Sequence, residues 1–207
     1  MKQLSIFILA LALAGCAGAK QSTAQGATIA PSSAGGTYRV LLDTSKGPVV
    51  LDVDRNLAPN GARRFYELVK AKYFDGARFY RVVPGFVVQW GAAASPAVTK
   101  RWDVTIPDDP VKESNTRGTV AFAATGQPNS RTTHLFVNLG NNGRLDALGF
   151  APIGRIAGGM RAVDDIYSGY GEQPNQDLIG TQGNAYLQKS FPKLDYIKTA
   201  RIVTATK

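Results

Sequence analysis

The chain is poor in reactive side chains. Among its 207 residues there is one cysteine, Cys16, and one histidine, His134. A lone cysteine can form neither an internal disulfide nor a Cys-x-x-Cys redox pair, so the core alone has to hold the fold. One histidine and one cysteine cannot supply the ligand set of a zinc or iron centre, and neither a metal nor a cofactor is expected. A Ser-His-Asp triad could form only around His134, and nearby Ser130 lacks the small-residue elbow that exposes a nucleophilic serine. The acidic pairs Asp108-Asp109 and Asp164-Asp165 lack calcium-loop spacing and read as a turn and a solvated helix face. The glycines between Gly140 and Gly143 match neither G-x-G-x-x-G nor a P-loop. What remains is binding, or a reaction that needs no titrating group.

Long runs are scarce too. The apolar stretch from Leu4 to Ala14 falls short of the roughly 20 residues that span a bilayer core. With Lys2 ahead of it and Leu13-Ala14-Gly15-Cys16 behind, it has the charged start, apolar middle and small-residue end of a secretory signal. Those last four residues resemble the bacterial lipobox, which implies cleavage before Cys16 and acylation of the Cys16 thiol. Residues 1–15 are therefore expected to be a lipoprotein signal peptide. Where an Asp after the cysteine would retain a lipoprotein in the inner membrane, this chain has Ala17, which points to the outer membrane on its periplasmic side. The formal charge is +9, yet no basic run exceeds the pairs Arg63-Arg64 and Lys100-Arg101. That scatter is not a nucleic-acid footprint and reads as solubility, with some attraction to an acidic membrane surface.

From Ala17 to Gly36 the residues are mostly Ala, Gly, Ser, Thr and Gln, with a single charge at Lys20. Such a segment buries too little apolar surface to fold, so 16–36 is expected to be a lipidated flexible tether with a reach of roughly 25 Å. Residues 37–207 are left as one domain. Tyr38–Thr44 and Val49–Val53 read as strands of a hairpin around Ser45-Lys46-Gly47-Pro48. Pro59 opens a helix over 60–72, with Ala62, Phe65, Tyr66, Val69 and Tyr73 on one stripe. Further strands are expected at Ala77–Val83, Gly85–Trp90, Gly118–Ala124, Leu135–Asn138, Ala151–Ile156 and Tyr196–Val203, and a second helix at Gly159–Tyr167. Many short strands without β-helix-β alternation predict a mainly β fold, a closed or nearly closed antiparallel barrel. The stretch Ser168–Pro192 reads only as a loop or a partner site.

The most unusual segment runs from Arg78 to Gly91. Alternation along its first strand puts Phe79, Arg81 and Val83 on one face. An arginine among apolar side chains is costly unless hydrogen bonds hold it, although alone it could equally point out of an edge strand. The segment resembles the signature F-H-R-[IV]-[IV]-x-x-F-x-x-Q-G-G-D of the cyclophilin peptidyl-prolyl isomerases. Phe79, Arg81, Val82, Val83, Phe86 and Gln89 match; Tyr80 replaces the usual His, and Trp90-Gly91 replaces Gly-Gly-Asp. Gly118–Ala123 resembles the family's G-x-[LV]-[SA]-M-A strand, and Thr133–Val137 its S-Q-F-F-I block. Arg144-Leu145-Asp146 followed by Phe150–Ile156 resembles its L-D-G-x-H-x-x-F-G-x-V block with one extra residue.

The resemblance covers about Tyr38 to Val203 and implies a closed eight-stranded antiparallel barrel capped by two α-helices. It implies prolyl isomerase activity on proline-containing polypeptides, with Arg81 as the catalytic donor. It also implies a substrate groove formed by Phe79, Phe86, Val87, Gln89, Ala123, His134, Phe136, Leu145 and Phe150, of which Val87 and Leu145 read equally well as barrel core. Three positions depart from the family: His134 stands where Gln is usual, Phe150 falls near a pocket His, and Arg144 replaces the Trp of cyclosporin-sensitive members. Trp90, bulky beside Gln89, is expected to reshape the groove. A monomeric, lipid-anchored isomerase for proteins folding in the envelope is the resulting expectation; a peptide-binding chaperone or scaffold without useful turnover is the alternative.

Overall fold

A computed structural model describes residues 36–203. The signal segment, Cys16 and all of the tether except Gly36 lie outside the described residues. The fold is mainly β, with eight strands in one antiparallel sheet: β1 Thr37–Thr44, β2 Gly47–Asp54, β3 Arg81–Val83, β4 Val87–Trp90, β5 Thr119–Phe122, β6 Leu135–Asn138, β7 Pro152–Gly158 and β8 Ile197–Val203. Their order in the sheet is β3-β4-β6-β5-β7-β2-β1-β8. All eight expected strands are present; β3, β4, β5 and β8 are shorter than the sequence signal suggests, and β1, β2 and β7 are longer.

The sheet curls but no ladder closes it. β3 is three residues long, too short to pair along β8, so the seam is crossed by the irregular chain ahead of β3. There Arg78 and Tyr196 form an isolated bridge, Ile197 N–H donates to the Ala77 carbonyl (2.8 Å) and Phe79 N–H to that of Asp195 (3.0 Å). Both edges find partners outside the ladders. On β8, Ala200 N–H donates to Asp75 Oδ1 (3.1 Å). On β3, Val82 N–H donates to the Gly171 carbonyl (3.1 Å). An open, curled sheet thus replaces the expected closed barrel.

Among the described residues there are five α-helices, not two: α1 Pro59–Lys70, α2 Pro96–Trp102, α3 Met160–Asp164, α4 Gln176–Gln182 and α5 Asn184–Ser190. The first and third are the two expected from sequence. α1 has Pro59 in its first turn and buries Ala62, Phe65, Leu68 and Val69, each large side chain contributing about 1.5–3 kcal/mol by leaving water. It stops two residues before the sequence estimate because Lys72 adopts φ 56, which lets Tyr73 N–H reach back to the Leu68 carbonyl (3.0 Å). α4 and α5 fill the stretch that reads only as a loop, and α4 packs on α2.

Alternation along β4, β5 and β6 divides two environments. Val88, Trp90, Val120, Phe122, Leu135 and Val137 face the main core, together with Phe65, Phe74 and Phe79. Val87, Ala121 and Phe136 face the other side of the sheet, where Leu145 joins them. A smaller third cluster of Tyr80, Ala92, Ile179, Leu187 and Leu194 glues α4 and α5 to the body.

The N-terminus of α1 has no cap from its own neighbourhood, since Ala58 offers no side-chain acceptor. Asp109, one of the acids that reads as a plain turn residue, supplies it from a distance by accepting the Asn60 N–H (3.1 Å) and Gly61 N–H (2.8 Å). Asp109→Ala is expected to lower unfolding free energy by about 1–2 kcal/mol; an unchanged urea midpoint would contradict this long-range cap.

Candidate active site

A transverse row of side chains crosses the groove face of the sheet. The ladders pair Arg81 with Gln89, Gln89 with Phe136, and Phe136 with Ala121. Antiparallel partners project to the same face, so register alone brings together an arginine, an amide and a phenyl ring from segments far apart in sequence. Loops add the walls: Phe86 from the β3–β4 turn, Leu145 from a single 3₁₀ turn at Gly143–Leu145, and Phe150 just before β7. The open groove measures about 520 Å³ and is lined by Arg81, Phe86, Val87, Gln89, Ala123, His134, Phe136, Leu145 and Phe150, with Thr132, Glu172 and Gln176 at its polar side.

Nine of the ten expected site residues therefore share one groove, and Phe79 does not. Its ring packs in the main core against Trp90, centroids 5.9 Å apart. The reason is local. Between the bridge at Arg78 and the start of β3 at Arg81 the chain leaves the ladder, so the two-residue period that would align Phe79 with Arg81 is lost. Trp90 is likewise fully buried in the core and does not reshape the groove. Gly91 permits the tight join at that point: at φ 137, a Cβ there would lie 2.3 Å from His134 Cα.

Buried amides hold the walls in place. Asn142 Nδ2 donates to the Phe86 carbonyl (2.9 Å) and to Asn138 Oδ1 (2.7 Å). Asn115 Nδ2 donates to the Phe150 carbonyl (2.7 Å) and to Asp146 Oδ1 (2.7 Å). Ser114 and Asn115 donate to Asp146 and hold its carboxyl below the ordinary carboxylate range. Arg131, ion-paired with Asp108, lies 5.7 Å from the Phe150 ring.

Polar groups line up along the opposite wall. Arg81 Nε donates to Glu172 Oε1 (2.7 Å) and Arg81 Nη1 to Gln89 Oε1 (3.1 Å). Gln89 Nε2 donates to Tyr80 Oη (2.9 Å), which lies 2.7 Å from His134 Nδ1. The Arg81 side chain is 25% exposed and that of Glu172 62%; so open a pair adds about 1 kcal/mol at most, and its effect is chiefly to orient the guanidinium. Arg81 and Arg144 both flank the Phe86 ring, their Cζ atoms 5.6 and 4.7 Å from its centroid. Among the described residues no three His, Cys, Asp or Glu side chains come together as a metal site. Sequence reasoning missed Glu172, Gln176 and the linking role of Tyr80. The first two lie in a stretch whose placement depends on docking, and no local signal marks them.

Burial pushes His134 below its ordinary pKa, with the Asp103 charge acting weakly in the opposite sense. The folded state therefore holds a neutral imidazole, whereas the unfolded chain takes up a proton near pH 6.5. Stability from this group is full above about pH 6.5 and falls as the pH drops through the folded-state pKa. Replacing His134 with Gln is expected to flatten the stability profile between about pH 7 and 5; an identical slope in both proteins would reject the buried neutral imidazole.

Residues 39–181 match the family described as cyclophilin type peptidyl-prolyl cis-trans isomerase/CLD. Over 137 residues the chain is 36% identical to peptidyl-prolyl cis-trans isomerase A of Dickeya dadantii, an alignment covering 61% of this chain and 70% of that protein. Among solved structures, a cyclophilin type peptidyl-prolyl cis-trans isomerase of Cryptosporidium parvum superposes with a TM-score of 0.62 at 18% identity, covering 83% of this chain and 100% of the other. The same Cryptosporidium protein solved in the presence of the dipeptide Ala-Pro gives 0.60 at 18% identity, covering 80% and 99%. A family match running from β1 through α4, a relative with more than a third of its aligned residues in common, and a shared fold lead to one conclusion: this chain belongs to the cyclophilin-type peptidyl-prolyl cis-trans isomerases.

Proposed function

We propose that the groove takes a proline-containing segment of a protein client, with the proline ring against Phe86, Val87, Phe136, Leu145 and Phe150 and the Xaa-Pro amide beside Arg81. The observation that carries this reading is the transverse row, which sets a permanent cation next to an apolar pocket. Rotation about an Xaa-Pro bond meets a barrier of ~18–20 kcal/mol because resonance stiffens the C–N bond, and nothing is cleaved. A catalyst needs to bind the twisted amide more tightly than either planar form. The apolar wall removes water, and a fixed donor stabilises the charge that localises as resonance is lost. Arginine suits that task because it stays protonated and presents a rigid fork of donors. Gln89 holds one arm of the fork, Ala123 lies along the path of the residues before proline, and His134 offers a polar contact to the substrate backbone. One chain supplies every groove residue, so a monomer suffices.

Cys16 is the proposed lipid anchor, placing the enzyme at the periplasmic face of the outer membrane on its tether. There it meets exported proteins whose Xaa-Pro bonds isomerise over tens of seconds unaided. The leader's charged start, apolar middle and Leu-Ala-Gly-Cys ending support this placement. One observation favours a binding module without turnover: Glu172 already occupies N–H groups of Arg81.

Two-dimensional exchange NMR on a short Ala-Pro peptide separates these readings. The wild type is expected to broaden or cross-link the cis and trans signals, and Arg81→Ala to slow exchange on the order of 100-fold. Peptide binding with no faster exchange would select the binding module. For the anchor, Cys16→Ser is expected to move the protein from the outer-membrane fraction to the soluble periplasm; wild-type protein in the inner membrane would overturn the proposed address.

A further inference from the structure

Tyr80 sits next to the proposed catalytic donor at the position where the family signature has His. Its ring is 1% exposed and packs with Ile179, Leu187 and Leu194, so its burial comes from α4, α5 and the segment after them. Its hydroxyl reaches past that apolar cluster to two groove residues, Gln89 (2.9 Å) and His134 (2.7 Å).

The direction of every proton in this chain of contacts follows from one fixed end. A guanidinium only donates, so Gln89 must present Oε1 to Arg81 and therefore Nε2 to Tyr80. Having accepted from Gln89, the Tyr80 hydroxyl has its own proton left to give, and His134 Nδ1 is the acceptor in reach. Burial keeps both groups uncharged, raising the phenol and lowering the imidazole. A neutral ring that accepts at Nδ1 carries its proton on Nε2, and among the described residues the imidazole of His134 has Tyr80 as its hydrogen-bond partner. With the proton on Nδ1 instead, two N–H donors would converge on the Tyr80 oxygen and leave its own proton without His134 as acceptor.

We propose that Tyr80 is a positioning residue for the isomerase reaction: its hydroxyl locks the Gln89 amide with oxygen toward Arg81 and locks His134 as the Nε2–H tautomer, so that both groove donors are preset before substrate arrives. The inference rests on the isomerase reading above and deepens it. It also gives the substitutions at positions 80 and 134 a joint rationale, since each supplies the partner the other needs.

The chain has a single histidine, so the imidazole nitrogen spectrum of the untagged, 15N-labelled full chain belongs to His134 alone. The wild type is expected to give one tautomer, with Nε2 protonated and Nδ1 bare and hydrogen-bonded. Tyr80→Phe keeps the packed ring and removes only the hydroxyl, and should give a mixture of tautomers. Its kcat/KM on the Ala-Pro peptide should fall roughly 2- to 10-fold, chiefly through kcat. Because Tyr80 acts partly through Gln89, adding Tyr80→Phe to Gln89→Ala should lower activity by a smaller factor than Tyr80→Phe does in the wild type. A wild-type spectrum with the proton on Nδ1, a single Nε2–H tautomer surviving in Tyr80→Phe, or fully multiplicative losses would each overturn the proposal. The wild-type spectrum decides even if the variant does not fold. An inactive wild type would overturn the isomerase reading and this role together, whereas an active wild type that fails a spectroscopic arm overturns the positioning role alone.

Discussion

A guanidinium held among apolar side chains has to be hydrogen-bonded, and much of this molecule serves that requirement. Arg81 lies at the end of a three-residue edge strand, so sheet pairing gives it one polar neighbour, Gln89. A second comes from Glu172, which the chain after α3 carries back across β3. The β3–β4 ladder, the Val82–Gly171 hydrogen bond and the packing of α4 on α2 all fix where that one charge can point. The apolar pocket is a separate construction, held by the Asn115, Asn138 and Asn142 amides and attached to the same row through Phe136. Arg81, Gln89 and Phe136 share a register, so the spacing of the donor from that part of the pocket is a property of the sheet, while loops place Phe86, Leu145 and Phe150.

Much of this is legible in the sequence because strand periodicity is a local property. Val87, Gln89 and Phe136 fall on the groove side by simple alternation, and α1 announces itself through Pro59 and one apolar stripe. Alternation fails where the ladder does. Phe79 sits in the irregular link across the seam, so counting in twos from Arg81 puts it on the wrong face. Trp90 misleads differently: the signature suggests a groove residue beside Gln89, while the period of β4 sends its ring into the core, as neighbours in a strand must alternate.

The remainder depends on tertiary contact. α4 and α5 have seven residues each, below the length at which helices persist by propensity alone. Asn175 caps α4 by accepting the Asp177 and Leu178 amides, a readable but weak signal. What fixes these helices is burial of Ile179 and Leu187 against Tyr80 and Ala92, from a segment nearly a hundred positions earlier. Glu172 and Gln176 reach the groove only as a result. In the open sheet, too, the ends of the ladder are set by where β3 stops, and composition does not encode that.

The treatment of the two sheet edges has a consequence for a protein that handles incompletely folded chains. An unpaired edge is a template onto which an extended polypeptide can add as one more strand. Here the Gly171 carbonyl occupies one amide of β3, and the Asp75 carboxylate, with the backbone of Ala77, occupies two of β8. Along both edges, an extended client finds part of the pairing positions already taken. Each occupied amide is one fewer point at which a substrate strand can pair with the sheet.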